Sequence, residues 1–245
     1  MSKKSRKKKT STNTLPYRIE TGLNTQPLSQ RLTTDDHLSK VVSKDTIIVV
    51  AIIMIFALAV YYNTLYNGFV YDDKLQVLEN KWITDVRYLP DIFSTNVWSF
   101  QAKHTSSDYY RPLMHIIYMF NYHMFGLKAW GFHLVNMLFH AANSVLVFVI
   151  TARLLSGMLN RQQTDKLTSW QVGSPASMFL SPAFIAAILF AVHPVHTEAV
   201  AWIGAVTDLS YTFFFLLSFY FYMKSGSRIK SHNYLFSLLF FALAL

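Results

Sequence analysis

No charged residue occurs between Asp45 and Asp72, and the interval opens TIIVVAIIMIFALAVYY. A soluble amphipathic helix keeps one polar side for water, and this run has none. A helix crossing the hydrocarbon core of a bilayer needs about 20 apolar residues. Thr46 to about Leu65 meets that requirement, and Tyr61, Tyr62 and Tyr66 have the character of an aromatic belt at the exit. The chain therefore reads as an integral membrane protein. Only 14% of its 245 residues are charged, against about 25% in an average soluble domain. That deficit, with 52% hydrophobic residues, argues against a soluble enzyme and excludes a disordered chain. There is no Cys, hence no disulfide framework, thiolate metal site or cysteine nucleophile.

The net charge of +9 sits mostly in one place. Residues 1–44 hold ten Lys or Arg against three acids, and the rest of the chain holds twelve against ten. The segment begins MSKKSRKKK and continues rich in Ser, Thr, Asn and Gln, with too little apolar area to offset its ordering entropy. It is expected to be a disordered basic cytoplasmic tail next to anionic lipid rather than a nucleic-acid-binding arm. It is not a typical signal peptide, because the apolar run starts too late and no cleavage pattern follows.

Four more apolar segments follow, giving expected helices over 46–65, 129–152, 178–195, 205–223 and 234–245. The expected domains are thus the tail, 1–44, and a membrane domain, 45–245. About twelve residues of the last segment are present, roughly 18 Å of helix, which predicts a fragment of a longer polytopic protein or a truncated frame. The tail, Arg153 with Arg161 and Lys166, and Lys224 with Arg228 and Lys230 all fall on one side, cytoplasmic by the positive-inside rule. The loops 66–128 and 193–207 fall on the other.

The long loop 66–128 is the informative part. NKWITDVRYLPDIFSTNVWSF suggests short helices broken at Pro90. After Arg111, the mostly apolar stretch 112–125 is too short to span and suits an interfacial or re-entrant helix, with Pro112 at its first turn. Asp72 and Asp73 follow the first helix closely. Two adjacent carboxylates repel, which raises the pKa of one and suits it to act as a base. The bland alternative is a solvated acidic pair.

The ordered set YNTLYNGFVYDD, YYRPL, GFHLVNMLFHAANS and HPVHTEAVAWI resembles the transmembrane and tetratricopeptide-repeat O-mannosyltransferase family and its bacterial relatives. The resemblance runs from about Tyr61 to Met223 and places the chain within the GT-C glycosyltransferase fold. It implies an all-α polytopic membrane protein, the N-terminal part of a GT-C helical bundle with a long first outer loop. It also implies transfer of a sugar, mannose by preference, from a polyprenyl-phosphate donor to a protein or glycan hydroxyl outside the cytoplasm, with inversion. Asp72 matches the expected base, with Asp73 assisting. Arg111 matches a phosphate ligand, for which a planar guanidinium fork is suited. His193 and His196 become donors to phosphate or acceptor, and Glu198 a second cavity-facing acid. A divalent cation stays open, because GT-C families differ on it.

His133, Asn136, His140 and Asn143 recur at helical spacing on one face. His133, nearest the outer end, is the member expected to approach the donor, and the others read as interhelical hydrogen-bonding groups. His193, His196 and Glu198 lack the spacing of a helical metal site, and no metal ligand is assigned. Asp208 reads as a helix cap. The tetratricopeptide repeats and later membrane helices of the family are missing from this stretch, so the alternative is a non-catalytic scaffold or inactive relative. A transporter is disfavoured, because no paired broken helices recur. The expected location is the bacterial inner membrane, or the endoplasmic reticulum for a eukaryotic chain.

Overall fold

A computed structural model describes residues 44–101, 108–162, 179–226 and 231–245. The expectations for the tail up to residue 43 and for Lys166, Arg228 and Lys230 lie outside the described residues. Among the described residues every regular element is helical. The α-helices are α1 (Lys44–Val60), α2 (Leu89–Ser94), α3 (Pro112–Phe125), α4 (Ala129–Gln162), α5 (Pro182–Val192), α6 (Thr197–Ala201), α7 (Val206–Ser225) and α8 (His232–Ala244). Short 3-10 and π turns join them through the loop 62–101.

Four of the long helices alternate in direction around α4. Val49, Phe148 and Ala183 pack at one end, and Ala57, Ala141 and Ala191 in the middle. Tyr61, Met137, Val200 and Leu209 pack toward the other end, where both long loops lie. The middle layer is made of alanines because α1, α4 and α5 approach closely there. On α5, Ala183, Ala187 and Ala191 recur every fourth residue and are all buried. Small residues at that spacing let membrane helices pack backbone to backbone, where no hydrophobic effect separates helix from lipid. The α7–α8 hairpin flanks α4, with the Ser218 hydroxyl donating to the Ser237 carbonyl at 2.9 Å.

The polar stripe of α4 is spent on this packing. Asn136 donates to the Trp202 carbonyl at 2.8 Å, and Asn143 to the Leu209 carbonyl at 3.0 Å. His140 Nε2 donates to the Ala191 carbonyl at 2.9 Å. The Ala191 carbonyl lies in the last turn of α5, where no helical N–H reaches it, and the imidazole satisfies a backbone group that lipid could not.

Helix lengths correct the expected spans. Among the described residues two helices are long and apolar enough to cross a membrane, within Ala129–Gly157 and Ile203–Ser225. A third span exists if Pro182–Val192 and Pro194–Ala201, bent by 44°, count as one. The helix expected over 46–65 stops at Val60, and Tyr62–Tyr66 winds as a 3-10 turn. Asn63 and Thr64 favour such turns, and the Tyr61 hydroxyl is drawn to the His193 carbonyl at 2.9 Å. At 17 residues α1 is about 25 Å long, under the hydrocarbon thickness of about 30 Å. The segment expected over 178–195 is also shorter. Ser181 caps α5 by accepting from the Phe184 N–H, and Pro194 forces His193 into extended backbone. In contrast α4 runs past residue 152 to Gln162, about 50 Å. Arg153 does not end it, because arginine is a good helix former and its guanidinium lies 5.8 Å from the Tyr220 ring. Pro90 starts α2 in its first turn instead of breaking a helix.

The alanine layer makes a direct prediction. Ala187→Leu should lower stability by about 1–3 kcal/mol through overpacking, read as a lower thermal midpoint in detergent. Leu189→Ala, at an exposed position on the same helix, should leave the midpoint nearly unchanged.

Candidate functional site

The loop 66–101 and α3 share one core over the end of the bundle. Trp82, Ile83, Ile92, Phe100, Met114, Tyr118 and Phe132 are buried together in it, with Ile203 and Val206. A polar clamp runs through it. Asn80 donates to the Gln76 carbonyl at 3.0 Å and accepts from the Trp82 N–H at 3.0 Å. Its amide also donates to His115 Nδ1 at 3.1 Å, while His115 Nε2 donates to the Val97 carbonyl at 3.2 Å. The two bonds fix the imidazole tautomer, and burial holds its pKa down at about 4. Gly126 ends α3 at φ +64°, a conformation open to glycine, and Gly131 lies against Phe125, where a Cβ would clash at 2.5 Å.

Of the acidic pair, Asp73 is fully buried and Asp72 is exposed. Asp73 Oδ2 accepts from the Val70 N–H at 3.0 Å, and Oδ1 accepts from the Gly204 N–H at 2.9 Å. This carboxylate thus ties the first long loop to the turn that opens α7, 131 residues away in sequence. Burial raises its pKa, and the two backbone bonds oppose the rise. The Trp202 indole N–H is buried beside it without completing a hydrogen bond. Gly204 must be small, since a Cβ there would meet the Trp202 ring at 2.7 Å. Tyr71, immediately before the pair, holds φ +47°, a strained value for a non-glycine residue. That kink turns the chain so that Asp73 points inward and its neighbour outward.

Tyr118 is the hidden centre of this region. Its hydroxyl donates to the Ile203 carbonyl at 3.3 Å, next to Gly204. Burial raises its pKa, and the charges of Asp73, Arg111 and Asp72 all reach its phenol. Asp73 and Tyr118 meet at the same turn, through the Gly204 N–H and the Ile203 carbonyl. Arg111 is exposed at the start of α3, its guanidinium 5.2 Å from the Tyr109 ring. Among the described residues the ion pair present joins Arg87 to Asp85, at 2.7 Å, and Arg111 makes none with Asp108. It faces a cavity of about 660 Å³ also lined by Tyr110, Thr207, Asp208 and Tyr211. Asp208 is not the cap of α7. Ala205 holds that position, and Asp208 lies in the first turn.

The other sequence candidates lie elsewhere. His133 is buried beside the Asn67–Gly68 backbone. His193 Nδ1 accepts from the Val195 N–H at 3.1 Å, capping a short 3-10 turn. His196 packs on Phe190 with ring centroids 4.4 Å apart, and on His140 at 5.2 Å. Glu198 is exposed in the first turn of α6. Among the described residues no three His, Asp or Glu side chains converge as metal ligands. Tyr118, Trp202 and Gly204 are the residues that sequence reasoning passed over. A tyrosine hydroxyl inside an apolar interfacial helix, and a glycine two residues after a tryptophan, were the available signals.

Fold and site together define a polytopic helical membrane protein with an acidic pair and an arginine over one end of its bundle. No family model and no solved structure matches the chain. Curated relatives do. Over 177 residues it is 35% identical to the mouse protein O-mannosyl-transferase TMTC3, covering 72% of this chain and 17% of that protein. It is 37% identical over 163 residues to human TMTC4, covering 65% and 21%. With Drosophila melanogaster Tmtc3 it shares 34% identity over 178 residues, covering 71% and 19%. The chain belongs to the TMTC family, and it spans about a fifth of the length of these relatives.

The clamp at His115 sets a pH dependence. The folded-state pKa of about 4 lies below the ordinary 6.5, so the unfolded chain binds the extra proton between those values. The stability from this group is complete above pH 6.5 and is lost as pH falls toward 4, up to about 3 kcal/mol. His115→Gln should flatten that part of the wild-type stability profile, measured by denaturation at pH 7 and pH 4.5.

Proposed function

We propose that this chain forms part of a membrane glycosyltransferase that moves a sugar from a polyprenyl-phosphate donor to a protein hydroxyl on the non-cytoplasmic side. Mannose is the sugar this reading favours, in line with the names of its relatives, protein O-mannosyl-transferases. The observation that carries the mechanism is the division of labour between the two acids. Asp73 is fixed by two backbone N–H groups, and its neighbour Asp72 stands exposed on the same kinked turn. A general base must be reachable by the acceptor and held in place, and this pair meets both needs.

Asp72 takes the proton from the acceptor hydroxyl. The oxygen attacks the anomeric carbon, the bond from that carbon to the phosphate oxygen breaks, and polyprenyl phosphate leaves with the electron pair. Attack from the face opposite the leaving group inverts the anomeric centre. Arg111 opens into the 660 Å³ cavity and carries the charge that a leaving phosphate requires. Asp73 positions the turn. Arg153 and Lys224 lie at the bundle end opposite the acids, and the positive-inside rule puts that end in the cytoplasm.

The test is Asp72→Asn in the full-length protein. Transfer should fall by about 10²–10⁴-fold while membrane insertion is kept. Undiminished transfer would contradict the assignment of the base. Arg111→Lys should raise KM for the donor more than KM for the acceptor, because a lysine loses the bidentate fork.

A further inference from the structure

The cavity of about 660 Å³ that Arg111 enters has a second charged group on its wall, Asp208. Asp208 lies in the first turn of α7 and is exposed. Its backbone carbonyl accepts from the Thr212 hydroxyl at 2.7 Å, while among the described residues its carboxylate joins no hydrogen bond or ion pair. Arg111 stands at the beginning of α3, where Met114 packs with Ile203 and Val206 beside the start of α7. Two helix beginnings therefore meet at this cavity. One brings a guanidinium, the other a carboxylate, and the two do not pair with each other. A ligand that enters meets a cation and an anion in the same space.

The lining defines the parts of such a ligand. A guanidinium fork suits phosphate oxygens. A carboxylate repels phosphate and only accepts hydrogen bonds, so it must face another part of the molecule, one that carries O–H or N–H groups. Tyr110 and Tyr211 border the same space and are exposed. The Tyr110 hydroxyl already donates to the Phe93 carbonyl at 2.9 Å, and the Tyr211 ring stacks on Phe215. What these tyrosines offer is therefore mainly ring surface, which suits the C–H face of a hexose. Phe93 and Leu113 add an apolar border for a lipid chain. The cavity is also tied to the base. Gly204, whose N–H holds Asp73, precedes Asp208 by four residues, roughly 6 Å along a helix axis. A sugar held at Asp208 is thus held on the joint that sets the turn of Asp72.

We propose that Asp208 selects the donor sugar: its carboxylate accepts hydrogen bonds from the ring hydroxyls of a neutral hexose whose phosphate lies on Arg111, and its charge turns away hexuronic acids. The proposal rests on the transferase reading above and adds to it a specificity-determining residue. It divides the donor between two helices, the phosphate at the start of α3 and the sugar at the start of α7.

Binding of three short-chain probes to the full-length protein in nanodiscs tests it: citronellyl phosphate, its mannosyl ester, and the matching mannuronosyl ester. Wild type should bind the mannosyl probe more tightly than either of the others. Asp208→Ala should weaken the mannosyl probe by about 10–100-fold, the loss expected for hydrogen bonds to a charged group. It should leave citronellyl phosphate unchanged or slightly tighter, because removing a negative charge cannot weaken a phosphate by electrostatics. That sugarless probe also reports that the variant is folded. Asp208→Asn keeps an acceptor and loses the charge, so it should abolish the preference for the mannosyl over the mannuronosyl probe. Arg111→Lys should weaken all three. Equal loss of the mannosyl and sugarless probes in Asp208→Ala overturns the proposal, as does unchanged mannosyl affinity or no mannosyl binding to wild type. So does displacement of the mannosyl probe by an equal concentration of phosphatidylethanolamine, whose phosphate and ammonium could answer the same two charges. Binding as expected by a full-length protein that transfers no sugar contradicts the transferase reading and leaves Asp208 assigned. Transfer by a protein whose sugar affinity ignores Asp208 does the reverse.

Discussion

A buried carboxylate bridging two backbone N–H groups organises the loop end of this protein. Asp73 joins Val70 to Gly204, and with them the exit of α1 to the entry of α7. Hydrogen bonds to a charged group contribute about 1.5–3 kcal/mol each, and burial works against the charge. The balance leaves an acid whose pKa is raised by desolvation and whose two oxygens each accept one backbone N–H. Removing it would strand the buried Gly204 N–H and free the loop at Val70. Tyr118 reinforces the same joint from α3 by binding the Ile203 carbonyl. The Tyr71 kink and the fixed Asp73 leave Asp72 little freedom except to face outward.

Below this joint the bundle relies on a different economy. Lipid is as apolar as leucine, so helices associate through close packing and hydrogen bonds. The Ala57, Ala141 and Ala191 layer supplies the first. The α4 stripe of Asn136, His140 and Asn143 supplies the second, donating to the Trp202, Ala191 and Leu209 carbonyls. At the bend, His140 satisfies the Ala191 carbonyl, one of the last-turn groups that α5 leaves without a helical partner. Beyond the bend, Val200 of α6 packs with Tyr61, Leu65, Met137 and Leu209.

The fold class was legible because composition decides it: a chain this apolar, in runs separated by basic clusters, has only a helical membrane solution. Helix ends were less legible. The stop at Val60 depends on the Tyr61 bond to His193, and the continuation of α4 past Arg153 depends on the Tyr220 ring. Both partners are distant in sequence. The acidic pair was visible as a motif, but which member is buried was not, because the group that buries Asp73 is the backbone of Gly204. His193 and His196 drew notice as chemistry-bearing residues, and they lie in a cap and an aromatic stack. Asn80 and His115 drew none, and together they form the polar clamp of the loop core.

Hydrogen exchange at the amides of Val70 and Gly204 tests the central claim most directly, comparing wild type with Asp73→Ala in detergent or nanodiscs. If the carboxylate is the joint, exchange at both amides should accelerate by more than tenfold in the variant, with the Ala141 layer of α4 still protected. Unchanged protection at Gly204, or uniform loss through the whole bundle, would contradict a local joint between the two loops.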